Sequence, residues 1–214
     1  MNNVSAGAAR MRLRYSPLSP FVRKVLVCAM EAGLDDRIEC VETDVWAADS
    51  DIFEDNPFGK VPALSTPNGV FIGSALCCEY LDSLHQGPRL VPADGPERWR
   101  TLQRHALADG VMEAAVAHVV ESHRRPAELI YQGMLQRQRD KISRGLTVIE
   151  NRWTEYASAV DLAAITLGCA LGYLDFRLAA WPWRPGRPQL ERWFLDFSQR
   201  HSMRLTEPRL PKNP

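Results

Sequence analysis

A segment rich in proline and glycine separates two halves of the sequence that differ in character. His85–Pro96 reads H-Q-G-P-R-L-V-P-A-D-G-P, with three prolines and two glycines, a composition that interrupts regular structure. Because 214 residues are enough for two small domains, we predict one domain over 11–86, a second over 94–208 and a linker over 87–93. Residues 1–10 are small and polar, lack the apolar core of a signal peptide, and are treated as a tail.

The N-terminal half alternates short strand-like and helix-like segments. Phe21–Ala32 has apolar residues at helical spacing, whereas Arg37–Thr43 alternates apolar and polar residues as a half-buried strand does. An N-G dipeptide between two apolar runs indicates a tight hairpin. The remaining segments are a short strand from Arg12, the acidic stretch Trp46–Asp55, whose structure the pattern leaves open, and a helix over 75–84. This order predicts an α/β domain that is too small for a doubly wound nucleotide-binding domain.

The C-terminal half favours helix almost throughout. Arg, Glu, Gln, Ala and Leu are abundant over 95–156, where Pro126 separates two long predicted helices. We predict a third helix from about 159 to 177 and a fourth over Pro188–Arg200, after the rigid loop W-P-W-R-P-G-R-P. The second domain is therefore predicted to be all-helical.

The charge balance excludes several classes of protein. Lys plus Arg and Asp plus Glu both number 26, so the formal net charge is zero. Nucleic-acid binding needs an excess of positive charge to displace counterions, and so does an electrostatic membrane anchor. No segment approaches the roughly 20 apolar residues of a membrane-spanning helix. We therefore expect neither a nucleic-acid nor a membrane partner.

The cysteines and histidines do not form a metal motif. The five cysteines are an odd number, include no C-x-x-C pair, and have no zinc-type spacing to a histidine. The histidines on predicted helices have no second histidine or cysteine four residues away. We expect no metal and interpret the cysteines as buried, reduced thiols of a cytoplasmic protein.

Two serines are placed where helices begin. Ser19 precedes Pro20, a residue favoured at the first helical position, so Ser19 is predicted to be an N-cap. Ser74 follows a predicted strand and is likewise predicted to cap a helix. Since helix N-termini attract anions, each serine could contribute to an anion site; the simpler alternative for Ser19 is that it only caps its helix.

A proline interrupts a segment that otherwise looks like a strand. Pro62 lies in N-P-F-G-K-V-P-A-L, where a proline would remove a hydrogen bond from the sheet. A cis Val61–Pro62 bond would resolve this conflict and leave the Val61 backbone free to pair with another extended peptide. Together with the two helix N-termini, it would provide a place for a small peptide that carries a carboxylate and a thiol.

These motifs, in this order, resemble the cytosolic glutathione S-transferase family over residues 11–208. The resemblance implies a thioredoxin-like N-terminal domain, an all-α C-terminal domain, glutathione as co-substrate and a homodimer. It also implies that Ser19 donates to the glutathione sulfur and that Pro62 is the family's cis-proline. Val61, next to Lys60, would pair with the tripeptide backbone, and Ser74 would hold the γ-glutamyl carboxylate.

Gly73 departs from the family pattern. The family usually has Glu, Asp or Gln before this serine, where the side chain binds the γ-glutamyl ammonium; glycine offers only backbone, although it also suits a position that requires a positive φ. Tyr15 and Ser16 are rival hydroxyls for Ser19.

The resemblance leads to one enzymatic function and two alternatives. In the enzyme, a glutathione thiolate would attack a small hydrophobic electrophile held between the domains, against helices of residues 95–135. The loss of a side chain at residue 73 instead favours a binding or interaction protein with little catalysis. A thiol–disulfide oxidoreductase would need a cysteine where Ser19 stands.

One further motif concerns folding. Ser158-Ala-Val-Asp161 matches a capping box at the start of a buried apolar helix. It resembles the folding box of the family, so the role of Asp161 is predicted to be structural, with its side chain returning to the Ser158 backbone.

Overall fold

The computed structural model describes residues 10–157 and 160–209. These residues divide into two compact units, with the boundary between Gly87 and Pro88. That boundary falls inside the proline- and glycine-rich segment, and each unit has its own core.

The first unit is built on a four-stranded mixed sheet. Its strands are β1 (Met11–Tyr15), β2 (Ile38–Glu42), β3 (Ala63–Thr66) and β4 (Gly69–Ile72), in the spatial order β2-β1-β3-β4. β1 pairs in parallel with β2 and antiparallel with β3, and β3 pairs antiparallel with β4. With its helices, this sheet has the thioredoxin-like arrangement, and the predicted fold class is confirmed.

Three helices connect or follow these strands. They are α1 (Pro20–Glu31), the one-turn α2 (Ile52–Asp55) and α3 (Ser74–Asp82). The acidic stretch that the sequence pattern left open consists of turns followed by the one-turn α2, and Ile52 is its one fully buried apolar residue. The hairpin forms where the N-G dipeptide predicts it, with Pro67 and Asn68 between the strands.

The second unit is helical, as predicted. It contains α4 (Gly95–Arg124), α5 (Gln132–Asn151), α6 (Leu162–Arg177), α7 (Pro188–Phe197) and α8 (His201–Leu205). Every residue of α6 from Leu162 to Leu171 is buried, so this helix forms the centre of the unit. The predicted fourth helix is wrong at its end, since α7 stops at Phe197 and a separate short helix begins at His201.

The start of α6 differs from the predicted capping box. Asp161 is itself the N-cap, and its Oδ1 accepts a hydrogen bond from the Ala164 amide at 2.8 Å. Its Oδ2 lies 2.6 Å from the Arg104 guanidinium of α4. The Asp161 side chain therefore caps its own helix and pairs with a neighbouring one; Ser158 lies outside the described residues.

The cysteines are free thiols, and four of the five are buried. The expectation of buried cysteines is wrong for Cys40, which is exposed on β2. None of the helices in the described residues has the length and apolar character needed to cross a bilayer.

Candidate active site

Ser19 lies at the N-terminus of α1, as predicted. Its backbone is extended, its Oγ accepts a hydrogen bond from the Val22 amide at 3.3 Å, and Pro20 occupies the first helical position. The Ser19 amide donates to the Ser16 carbonyl at 3.1 Å, which closes the turn between β1 and α1. Since a hydroxyl can donate one hydrogen bond while it accepts others, Ser19 can cap α1 and still donate to an anion in front of the helix.

The two rival hydroxyls are less well arranged for that role. Tyr15 ends β1, and burial raises the pKa of its hydroxyl, with Cys40 and Glu42 adding to the shift. A less acidic hydroxyl is a weaker hydrogen-bond donor to a thiolate. Ser16 lies in the turn before α1 and contributes its carbonyl to that turn, but it is not at the helix N-terminus.

The Val61–Pro62 peptide bond is cis, as predicted. The sheet pairing of β3 begins at Ala63, so Val61 lies outside the ladder. Its backbone is therefore available to an extended ligand, and Lys60 beside it is exposed.

Asn56 shapes the loop that leads to the cis-proline, although sequence reasoning did not single it out. Its side chain is 3% exposed. Nδ2 donates to the Lys60 carbonyl at 2.7 Å, and Oδ1 accepts from the Phe58 amide at 3.1 Å. The only sequence signal for this loop is the segment N-P-F-G-K itself. The hydrogen bonds of Asn56 were not predictable from it, because they depend on how the backbone folds.

Gly73, not Ser74, is the N-cap of α3, so the predicted cap is wrong by one residue. Gly73 has a φ of +85°, and Ser74 is the first residue of the helix and is buried. A Cβ built at Gly73 would meet no atom within 4 Å. The conformation therefore favours glycine through its φ and not through a lack of space.

The sheet pairing brings these segments to one end of the first unit. Arg14 in β1 is opposite Ala63 in β3, and Ala63 is opposite Ile72 in β4. Since neighbouring strands lie about 4.8 Å apart, the turn after β1, the cis-proline before β3 and the start of α3 after β4 emerge side by side. Ser19, Lys60–Pro62 and Gly73–Ser74 belong to these three segments.

The buried Arg14 side chain forms ion pairs behind this end of the sheet, which sequence reasoning did not single out. Arg14 donates to Asp55 Oδ2 at 2.5 Å and to Asp51 Oδ1 at 2.9 Å. Asp55 also accepts a hydrogen bond from the Ser65 hydroxyl at 3.2 Å. Arg14 and Asp55 are 41 positions apart, so no local pattern indicates the contact.

The described residues contain no group of three or more His, Cys, Asp or Glu side chains placed to hold a metal ion. Cys77 is a poor nucleophile, because burial raises the pKa of its thiol to about 12 and its Sγ contacts the Phe71 carbonyl. The three segments of the candidate site present the Ser19 and Ser74 hydroxyls, the Val61 backbone and two helix N-termini.

Comparison with known proteins identifies the family. Residues 18–84 match the glutathione S-transferase N-terminal domain model, and residues 132–195 match the C-terminal domain model. The chain is 37% identical over 202 residues to the "Uncharacterized GST-like protein YibF" of Escherichia coli, covering 92% of this chain and 98% of that protein. The chain belongs to the glutathione S-transferase family.

Solved structures of other glutathione S-transferases agree with this assignment. A family member from Pseudomonas fluorescens with bound glutathione is 43% identical, has a TM-score of 0.90, and matches 94% of this chain and 100% of its own. A glutathione S-transferase from Methylobacillus flagellatus with glutathione bound is 33% identical, with a TM-score of 0.86, and matches 93% and 100% of the two chains.

Proposed function

We propose that this glutathione S-transferase family member binds glutathione and catalyses attack of its thiolate on a small hydrophobic electrophile. The observation that carries the proposal is the convergence of Ser19, Val61 and Ser74 at one end of the sheet. The similar Pseudomonas fluorescens protein, which has glutathione bound, supports glutathione as the ligand.

In this proposal the ligand is held largely by backbone groups. The Val61 N–H and C=O pair with the cysteinyl backbone of glutathione, since the strand pairing does not include them. The γ-glutamyl carboxylate lies at the N-terminus of α3, where the Ser74 hydroxyl and the first amides of the helix can donate. Lys60 contributes a positive charge beside the tripeptide.

Ser19 supplies the catalytic hydrogen bond. A thiol with an ordinary pKa of about 8.5 is mostly protonated at neutral pH, and a helix N-terminus with a hydroxyl donor lowers that value. The Ser19 hydroxyl donates to the sulfur while α1 provides the dipole. The thiolate then forms a bond to the electrophilic carbon, the leaving group departs with its electron pair, and the thiol proton passes to solvent.

A titration and an activity assay test this assignment. Calorimetry with glutathione is followed by conjugation to a generic aromatic chloride, and the pKa of bound glutathione is taken from thiolate absorbance. We expect Ser19→Ala to raise that pKa toward the free value and to reduce turnover, while the lost cap lowers the free energy of unfolding by about 1 kcal/mol.

Ser16→Ala is the matched control, because it also removes one serine hydroxyl, three residues before Ser19. It should leave the pKa of bound glutathione unchanged. If Ser19→Ala titrates like the parent, the assignment of Ser19 is wrong, and Ser16→Ala and Tyr15→Phe identify the donor.

The second candidate function is a glutathione-fold interaction protein with little catalysis. It is favoured by Gly73, which offers no side chain for the γ-glutamyl ammonium. The same calorimetric titration separates the two, since an enzyme binds glutathione and turns over, and an interaction protein shows neither heat nor product.

We also propose that the protein is a cytoplasmic homodimer. The free cysteines of the described residues are consistent with a reducing compartment. Val70 of β4 and Leu76 of α3 are exposed apolar residues of the kind that a subunit interface covers. Light scattering of the purified protein measures its mass; a monomer would contradict this part of the proposal.

A further inference from the structure

Arg14 is a charged side chain in the interior of the first unit. It lies in β1 and is 6% exposed. Its Nε donates to Asp55 and its Nη1 to Asp51, and these hydrogen bonds raise the pKa of the guanidinium further. A buried charge is tolerated only when it is paired. Because Asp55 lies in α2 and Asp51 is its N-cap, the two ion pairs hold α2 against the sheet.

The α2 helix needs such an anchor. It has only four residues, and a single helical turn has little stability of its own. The Ser65 hydroxyl holds the same Asp55 carboxylate from β3. Ser65 is opposite Arg12 in the β1–β3 pairing and so shares a sheet face with Arg14. The carboxylate of Asp55 is therefore fixed by two adjacent strands.

The end of α2 leads directly into the cis-proline loop. Asn56 follows Asp55, and its amide donates to the Ile52 carbonyl at 2.8 Å. The Asn56 side chain in turn holds the Lys60 carbonyl at 2.7 Å, and Lys60 is joined to Val61. A continuous series of contacts thus runs from the Arg14 guanidinium to the backbone assigned to glutathione.

We propose that Arg14 is a positioning residue for glutathione: through Asp55 and Asn56 it fixes the backbone of Lys60 and Val61 in the conformation that pairs with the tripeptide. This inference rests on the proposed function. Ser19 caps α1 and takes no part in this series of contacts, so Arg14 is proposed to act on the pairing backbone and not on the donor to the thiolate. Loss of Arg14 should therefore weaken glutathione binding without changing the ionisation of the bound thiol.

The test compares Arg14→Met with Arg12→Met. Both remove an arginine from β1, but Arg12 is exposed and lies outside the ion pairs. We expect the Kd and KM for glutathione to rise about tenfold in Arg14→Met, the change expected from losing about one hydrogen bond to the tripeptide backbone. The kcat at saturating glutathione, the binding stoichiometry and the pKa of bound glutathione should match the parent. Arg12→Met should match the parent in every measurement.

Arg14→Lys should recover part of the lost affinity, because an ammonium can pair with one carboxylate but cannot reproduce the fork of the guanidinium. If Arg14→Met does not fold, Asp55→Asn removes the same ion pair from the other side and should also raise the glutathione Kd.

A purely structural role would lower the stoichiometry and the melting temperature and leave the Kd of the folded fraction unchanged, and that result overturns the proposal. If the parent itself does not bind glutathione, the proposed function fails first, and the Arg14 assignment fails with it.

Discussion

Gly73 combines a missing side chain with an unusual backbone, and a set of three substitutions separates the two. Its φ is +85°, and a Cβ would find no atom within 4 Å. Its ψ of 127° places it outside the left-handed helical region, in a part of φ/ψ space that is adopted almost only by glycine. Holding an L-residue there costs about 1–3 kcal/mol. A chain of 150–250 residues loses about 2–4 °C in Tm for each kcal/mol. Gly73→Ala should therefore melt about 2–12 °C below the parent, with no further loss from a clash with neighbouring atoms.

Gly73→Glu carries the same backbone cost and adds a charge beside Ser74. If the γ-glutamyl ammonium lies there, the carboxylate should improve glutathione binding by about 1–2 kcal/mol, a value discounted for solvent screening. This gain corresponds to a Kd about 5–30-fold lower than that of Gly73→Ala. Gly73→Gln should lie between the two, since it can accept a hydrogen bond but has no charge.

Thermal melts and calorimetric titrations of the three variants measure the two effects independently. Gly73→Ala is the reference for Glu and Gln, because it has the backbone cost without the polar group. An Ala variant that melts with the parent would refute the backbone argument. A Glu variant that folds but binds glutathione no more tightly than Ala would show that the ammonium is held elsewhere or that glutathione is not the ligand.

Two predictions concern the second unit. Asp161→Ala should lower the free energy of unfolding by about 3–5 kcal/mol, because it removes the α6 cap and leaves the Arg104 guanidinium without its carboxylate. Asp161→Asn keeps an oxygen that can cap α6, so its free energy of unfolding should fall by less. Equal losses for the two variants in urea unfolding would contradict this assignment. Burial, with Arg139 and His123 nearby, lowers the pKa of His118. Because the unfolded chain then binds the proton more tightly, this contribution to stability is complete above the unfolded pKa of about 6.5 and decreases as the pH falls below it. Melts at several pH values should show a smaller decrease for His118→Gln, and identical decreases would exclude His118 as the cause.

Local sequence patterns predicted those elements whose cause is local. Helix α1 follows from its apolar spacing and from Pro20, and the β3–β4 hairpin follows from its N-G dipeptide. The cis bond at Pro62 followed from a proline in an otherwise strand-like segment. In each case the signal lies in residues that are close together in the sequence.

Contacts between distant residues account for what the sequence did not predict. Asp161 satisfies a local motif, but the structure makes it the N-cap with Arg104 of another helix on its second oxygen. In the sequence, Arg14 is one polar residue of a short strand. Its ion pairs with Asp55 of α2 and with the α2 N-cap Asp51 are seen only in the folded structure. Both contacts concern charged groups whose partners lie 57 and 41 positions away, a separation at which no periodic pattern indicates pairing.

The antiparallel pairing of β1 with β3 explains why the candidate site forms where it does. In such a pair, the end of one strand lies beside the beginning of the other, so the turn that leads to Ser19 meets the cis-proline loop before Ala63. The β3–β4 pairing then brings Gly73 to the same place. Two of these three segments offer backbone groups, which a substitution of the side chain does not remove. Such a site can lack a side chain at residue 73 and still offer backbone groups that pair with an extended peptide. The glycine at this position therefore predicts a lower affinity for glutathione, not a loss of binding.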